Sequence, residues 1–155
     1  MLNVGQPAPD FDLPDADLNV VSLDAYKGTN NVVLYFYPKD DTPGCTIEAI
    51  DFSELQEAFL GLDTVVLGVS MDDCVSHGSF RDKHGLAVQL LADAEGEVCT
   101  KYGVLKEKEA GGKGRKRCIV RSTFVIDKKG LVRHALYGVN ARGHATEVLN
   151  LVKEL

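Results

Sequence analysis

The sequence predicts a single α/β domain over residues 1–155, with a central mixed β-sheet flanked by helices and an N-terminal β-hairpin extension. Two apolar runs, residues 31–37 and Thr64–Ser70, have the β-branched and aromatic composition of strands that are buried on both faces. Helical segments alternate with these strands, which is typical of a layered α/β sheet. A chain of 155 residues matches one domain, since domains usually contain about 100–200 residues.

The N-terminal part of the chain carries hairpin signals. Residues 11–13 and 20–23 are short apolar segments on either side of an Asp-rich turn, which predicts two short antiparallel strands. The prolines within residues 4–10 indicate an extended lead-in to the first of these strands.

The middle of the chain is predicted to alternate helices with strands. The turn-rich segment 38–44 (P-K-D-D-T-P-G) follows the first buried strand. A helix over about residues 45–60 comes next, because Phe52, Leu55 and Phe59 share one helical face. After the second buried strand the alternation continues with a helix over 76–84, a strand over 88–91 and a helix over 95–102.

The C-terminal part opens with a basic segment. Residues 106–117 contain six basic and two acidic side chains and carry +4, against −10 for the rest of the chain. They are predicted to form a mobile, solvated loop, with docking of an acidic reductase as the alternative interpretation. Residues 118–127 and 131–137 are predicted strands joined by a D-K-K-G turn, and apolar spacing predicts a helix over 144–155. The resulting order, βαβ followed by ββα, matches the thioredoxin-like arrangement.

Composition excludes several classes of function. The net charge of −6, with 5 Tyr, 6 Phe and no Trp, argues against nucleic-acid binding. No apolar run approaches the roughly 20 residues of a membrane span, and the first residues do not resemble a secretory signal, so we expect a cytoplasmic protein with reduced thiols. Neither CxxC nor HExxH occurs, so we expect no metal and no bound cofactor. The histidines are interpreted as surface or structural residues, and Asp40 and Asp41 as turn residues.

The candidate site is the segment P-K-D-D-T-P-G-C-T-I-E, residues 38–48, where a buried strand leads into a helix. Cys45 is predicted to lie in the first helical turn, where unpaired N–H groups and the helix dipole favour a thiolate. Thr42 precedes it closely enough to direct a hydroxyl at the sulfur or at a bound oxygen species. A cysteine in this position can also be a buried, inert residue.

A longer match removes that ambiguity. The pattern P-x-x-x-T-x-x-C, formed by Pro38, Thr42 and Cys45, resembles the active-site motif of the peroxiredoxins. The string F-Y-P-K-D-D-T-P-G-C-T-x-E and the later block R-S-T-F-V-I-D, residues 121–127, are similar to the bacterioferritin comigratory protein or peroxiredoxin Q subfamily. The resemblance implies a thioredoxin-like fold and a thiol-dependent peroxidase that reduces hydrogen peroxide and organic hydroperoxides through a sulfenic acid.

The resemblance also implies a role for each site residue. Cys45 would be the peroxidatic cysteine and Thr42 the hydroxyl that orients the peroxide. Arg121 would be the cation near the thiolate, Glu48 would orient Arg121, and Pro38 would shield the site from bulk water. Thioredoxin, glutaredoxin or a low-molecular-weight thiol would supply electrons, and the oligomeric state would be a monomer or a weak homodimer.

The sequence departs from the subfamily at the two usual positions of a resolving cysteine, which are occupied by Ile50 and Arg81. One remaining candidate is Cys74, because both helices of a right-handed βαβ unit begin at the same edge of the sheet. The others are Cys99, which we expect to have a packing role, and Cys118. Cys118 and Arg121 differ by an odd number of positions, so in a regular strand their side chains would point to opposite faces. An external thiol and these three cysteines all remain open as the resolving group.

Two rival functions follow from a reactive cysteine. A thiol–disulfide exchange protein would need a CxxC motif at the helix start, and none is present. A peroxide-sensing thiol protein that changes partners on oxidation is the alternative to an enzyme, and catalytic turnover distinguishes the two.

Overall fold

The computed structural model describes residues 1–109 and 115–155. The strands are β1 Asp12–Pro14, β2 Val20–Ser22, β3 Asn31–Phe36, β4 Thr64–Ser70, β5 Gln89–Ala92, β6 Leu105–Glu109, β7 Arg115–Ile119, β8 Ser122–Ile126 and β9 Val132–Tyr137. The helices are α1 Pro43–Glu54, α2 Gln56–Leu60, α3 Cys74–His84, α4 Glu97–Lys101 and α5 His144–Lys153, with a 3-10 turn at Leu23–Tyr26.

The central sheet has five strands in the order β5-β4-β3-β8-β9. β3, β4 and β5 run parallel to one another, whereas β8 and β9 are antiparallel to their neighbours. The sheet is therefore mixed, as the sequence predicts. The predicted N-terminal hairpin is also present, as the antiparallel pair β1-β2.

Two layers cover the central sheet, because the side chains of β3 alternate between its faces. On one face, Val33 and Tyr35 pack against α1, α2, α3 and α5. On the other face, Leu34 and Phe36 pack against the N-terminal hairpin, α4 and the end of β7. β3 is buried on both faces, which explains its uninterrupted apolar sequence.

The predicted helix over 45–60 is two helices. α1 already begins at Pro43, a residue that suits the first helical position because its missing N–H would have no partner there. The helix ends at Glu54, because the next residue, Leu55, has a φ of −95° and a ψ of 4° outside the helical region, and α2 follows. Near this break the Ser53 hydroxyl accepts backbone N–H groups from Ala87 and Val88, which ties the end of α1 to the segment before β5.

The predicted strand over 118–127 is also two strands, and it belongs to two sheets. β7 pairs with β6 in a separate hairpin, and β8 pairs with β3 in the central sheet. The chain passes from one to the other at Val120, whose N–H bonds the Val104 carbonyl and whose carbonyl accepts the Ser122 hydroxyl. Much of the basic segment 106–117 is therefore strand rather than loop, and residues 110–114 lie outside the described residues. The face argument for Cys118 and Arg121 fails, because Arg121 lies between the two strands.

The described part of the chain contains no helix that is both long and apolar enough to cross a membrane.

Candidate active site

Cys45 lies in the first turn of α1, just beyond the carboxyl end of β3. Its side chain is buried. Thr42 precedes the helix in an extended conformation, with φ of −94° and ψ of 155°. Its hydroxyl does not cap the helix but donates to the Lys39 carbonyl at 2.9 Å. That donation leaves the lone pairs of the hydroxyl free to accept a hydrogen bond beside Cys45.

Arg121 connects two buried groups of α1. Its Nη2 donates to Sγ of Cys45 at 3.3 Å, and its Nη1 donates to Oε1 of Glu48 at 2.7 Å. The Arg121 side chain is 16% exposed and the Glu48 side chain 0%. The structure thus brings together three of the five residues that the resemblance singled out, Cys45, Glu48 and Arg121, although 76 positions separate Arg121 from Cys45.

Burial dominates the electrostatics of this cluster. It raises the pKa of Glu48 to about 7, and the Arg121 guanidinium offsets only part of that effect. Oε2 of Glu48 is buried and has no hydrogen-bond partner among the described residues. Burial by itself lowers the pKa of Arg121, but Glu48 and Cys45 outweigh it and raise the pKa above its ordinary value. The guanidinium is therefore a permanent positive charge next to the sulfur.

Gly44 is a site residue that the sequence reasoning missed. A Cβ atom at this position would lie 3.1 Å from Nη2 of Arg121. Glycine therefore leaves the space through which the guanidinium reaches Cys45. The available signal was a glycine inside the first turn of a helix, where it is a poor helix former and suggests close packing.

Asp40 and His77 are both buried, with Asp40 7% exposed and His77 0%. Asp40 lies in a turn, as the sequence predicts, and His77 is a structural rather than a surface histidine. Nδ1 of His77 lies 2.7 Å from Oδ2 of Asp40. Pro38 lies exposed at the start of the same loop, so its shielding role stays a prediction.

The other cysteines occupy three different environments, and all four cysteines are free thiols. Cys74 begins α3, at the same edge of the sheet as Cys45, and burial together with the Asp73 carboxylate raises the pKa of its thiol. Cys99 is buried on α4, on the opposite face of the sheet, where burial and Asp93 raise the pKa of its thiol far above the ordinary value. Cys118 is half-buried on β7.

The two usual resolving positions hold side chains with other contacts. Ile50 is half-buried and packs against the core on its side of the sheet. Arg81 forms ion pairs with Asp17 and Asp82. Across residues 1–109 and 115–155, no three His, Cys, Asp or Glu side chains are grouped so that they could hold a metal ion.

Comparison with known proteins gives a consistent result. The model of the AhpC/TSA family matches residues 4–135. A putative peroxiredoxin bcp of Coxiella burnetii is 44% identical over 148 residues, covering 96% of this chain and 97% of the relative. Peroxiredoxin Bcp of Bacillus subtilis is 43% identical over 154 residues, covering 99% of this chain and 97% of the relative.

Solved structures show the same likeness. A crystal structure of a PrxQ mutant from Xylella fastidiosa has a TM-score of 0.92 and 35% identity, covering 99% of this chain and 97% of that one. A structure of the Xanthomonas campestris bacterioferritin comigratory protein has a TM-score of 0.87 and 38% identity, covering 93% of this chain and 90% of that one. The predicted thioredoxin-like arrangement is confirmed by these neighbours.

Proposed function

The chain belongs to the AhpC/TSA family and is a peroxiredoxin of the Bcp or peroxiredoxin Q type, and from this premise we propose that it reduces hydrogen peroxide and small organic hydroperoxides through a sulfenic acid at Cys45. The observation that carries the proposal is the Arg121 guanidinium, which contacts both the buried Cys45 sulfur and the Glu48 carboxyl. The relatives are named as peroxiredoxins, which favours an enzyme over a peroxide sensor.

The first step is attack of the Cys45 thiolate on one oxygen of the peroxide. A sulfur–oxygen bond forms and the oxygen–oxygen bond breaks, so sulfur loses two electrons and the second oxygen leaves as hydroxide or alkoxide, which takes up a proton. Negative charge moves from sulfur to the leaving oxygen during this step. The Arg121 guanidinium supports both charge distributions without moving far, and the Thr42 hydroxyl accepts a hydrogen bond from the bound peroxide.

We propose that an external thiol, from thioredoxin, glutaredoxin or a small thiol, reduces the sulfenic acid. The incoming thiol forms a mixed disulfide with Cys45 and releases water, and a second thiol then restores Cys45. Cys99 is separated from Cys45 by the central sheet, and the raised pKa of Cys74 disfavours its nucleophilic thiolate at neutral pH. Cys74 is the internal alternative, because it shares the sheet edge with Cys45. A cytoplasmic location and a monomeric or weakly dimeric state stay predictions.

The test is intact mass and peptide mapping after one equivalent of hydrogen peroxide, followed by turnover with excess reductant. We expect one added oxygen confined to Cys45, which thiol removes, and continuous peroxide consumption. Cys45→Ser should abolish consumption, whereas the matched Cys118→Ser should not. A Cys45–Cys74 disulfide would replace the external resolution step, and oxidation of another cysteine with Cys45 unmodified would contradict the site itself. A single equivalent consumed without turnover would identify a sensor.

A further inference from the structure

A buried polar network lies beneath the loop that leads into Cys45. Oδ1 of Asp40 accepts the Tyr37 hydroxyl at 2.6 Å, and Oδ2 accepts the Ser76 hydroxyl at 2.8 Å. Nδ1 of His77 lies 2.7 Å from the same Oδ2. The backbone N–H of Asp40 donates to Asp72 at 2.8 Å. This set connects the loop to the ends of β3 and β4 and to α3.

The geometry around His77 favours a proton on both ring nitrogens. Nδ1 faces the Asp40 carboxylate, and Nε2 lies 2.8 Å from the Leu91 carbonyl of β5. A carbonyl oxygen cannot donate, and Oδ2 of Asp40 already accepts a hydroxyl. A neutral ring would direct a lone pair at one of the two acceptors, so this arrangement favours the imidazolium form of His77. The His77 side chain is 0% exposed.

We propose that His77 is a positioning residue of the peroxidase reaction: through its buried ion pair with Asp40, it attaches the loop that contains Thr42 and leads into Cys45 to α3 and β5. Asp40 is the loop residue that turns towards the core, and Thr42 and Cys45 follow it directly in the active-site motif. This inference rests on the proposed role of Cys45. It adds a residue of another helix that acts through Asp40 and does not contact peroxide.

A second contact ties the same loop to the far end of α3. Asp41 adopts a φ of 58°, a left-handed backbone conformation that residues other than glycine rarely occupy. Its carboxylate lies 2.6 Å from Nζ of Lys83 and 2.8 Å from Nε2 of His84. This pair is partly exposed and therefore contributes less than the buried one. Both contacts hold the loop to one helix, so the orientation of α3 determines the orientation of the loop.

The proposal predicts an alkaline loss of reactivity. The groups that face His77 are Asp40, Tyr37 and the Leu91 carbonyl, and the Asp72 charge also acts on it. Burial lowers the pKa of His77, but the hydrogen bond and charge of Asp40 outweigh it and raise the pKa above its ordinary value. A raised folded-state pKa means that the stabilisation is complete at pH below about 6.5 and is lost as pH rises through the folded-state pKa. The loop should loosen in that alkaline range.

The first measurement uses the wild-type protein. Long-range nitrogen–proton NMR spectra should show both ring nitrogens of His77 protonated at neutral pH. A neutral His77 at neutral pH would overturn the proposal. This measurement does not depend on catalysis, so it stays informative even if the peroxidase function itself fails.

The second measurement compares two reactions of Cys45 in the variant His77→Asn. Oxidation by hydrogen peroxide needs Thr42 and Cys45 in register, and a displacement of about 1 Å can slow such a step by about a hundredfold. Alkylation by iodoacetamide needs only the thiolate. We expect the ratio of the peroxide rate to the alkylation rate to fall about tenfold or more, with His134→Asn at the wild-type ratio.

Two outcomes decide the kinetic test. A folded His77→Asn protein with the wild-type ratio would overturn the positioning role. If that variant does not fold, the wild-type pH profile decides instead: the ratio of rates should fall as His77 loses its proton, and a ratio that stays constant through its NMR titration would overturn the proposal.

Discussion

Replacement of Gly44 by alanine is expected to slow the peroxide reaction without unfolding the protein. The new Cβ would lie 3.1 Å from Nη2 of Arg121, the nitrogen that donates to Cys45 at 3.3 Å. Ordinary van der Waals contacts of a Cβ start at 3.4 Å, so the guanidinium must move by a few tenths of an ångström. The hydrogen bond to sulfur is the contact that lengthens, because the Glu48 contact holds the other nitrogen at 2.7 Å.

The size of the effect follows from that hydrogen bond. A hydrogen bond to a charged group contributes about 1.5–3 kcal/mol. Since about 1.36 kcal/mol changes a rate tenfold, its loss in the transition state corresponds to a decrease of about ten- to a hundredfold. Alanine is a better helix former than glycine by about 1 kcal/mol, which offsets steric strain in α1. The melting temperature should therefore change little while the rate of Cys45 oxidation falls.

Stopped-flow oxidation of Cys45 by hydrogen peroxide, together with a thermal melt, measures both quantities. The matched control is Gly78→Ala on α3, where an added Cβ meets nothing within 4 Å. We expect that control to raise the melting temperature and leave the rate unchanged. A wild-type rate in Gly44→Ala would refute the argument that the Arg121 contact with sulfur limits the reaction.

Three further changes test the same cluster and the core beneath it. Arg121→Lys should slow Cys45 oxidation at least about tenfold, because one ammonium group cannot replace a planar fork that serves Cys45 and Glu48 together; competition kinetics with a second peroxidase measures this. Glu48→Gln should raise the melting temperature relative to wild type more at pH 8 than at pH 4.5. The reason is that the folded-state pKa of Glu48 is raised to about 7, so the wild-type protein becomes less stable as pH rises from the unfolded-state pKa of this carboxyl towards 7. A difference in melting temperature that calorimetry finds to be the same at both pH values would contradict this reasoning. Gly68→Ala should lower the free energy of unfolding in urea by about 1–3 kcal/mol, since its Cβ would lie 2.7 Å from the buried Tyr35 ring, whereas an unchanged midpoint would show that the ring moves freely.

The parts of the fold that sequence reasoning predicted are those with strong local patterns. β3 and β4 are apolar on both faces because both layers cover them, and that composition is visible without any contact information. The break at Val120 was not predictable in the same way. A strand that leaves one sheet and joins another keeps its apolar pattern, and only the partner strands reveal the change.

In the candidate site, too, the features with a local sequence signal were predicted and the long-range contacts were not. The position of Cys45 at a helix start follows from local sequence, whereas its contact with Arg121 was reached only through the family resemblance. Neither the local sequence nor the family resemblance predicted that Asp40 pairs with His77. This pairing depends on how α3 packs against the loop after β3, and two polar residues 37 positions apart give no local signal that they meet in the core.

The Arg121 guanidinium contacts two acidic groups in this site, Cys45 and Glu48, and their burial determines which of the two negative charges it neutralises. Arg121 lies between Cys45 and Glu48, and both the sulfur and the carboxyl are buried, which disfavours a negative charge on either group. Two buried anions beside one guanidinium would leave one negative charge uncompensated. Because burial raises the pKa of Glu48 to about 7, a proton on this carboxyl removes the excess near neutral pH, and Oε2 is the atom without another partner. A protonated Glu48 still accepts a hydrogen bond from Arg121 through Oε1, so it orients the guanidinium without competing for its charge. The charge of Arg121 is then available to a thiolate at Cys45.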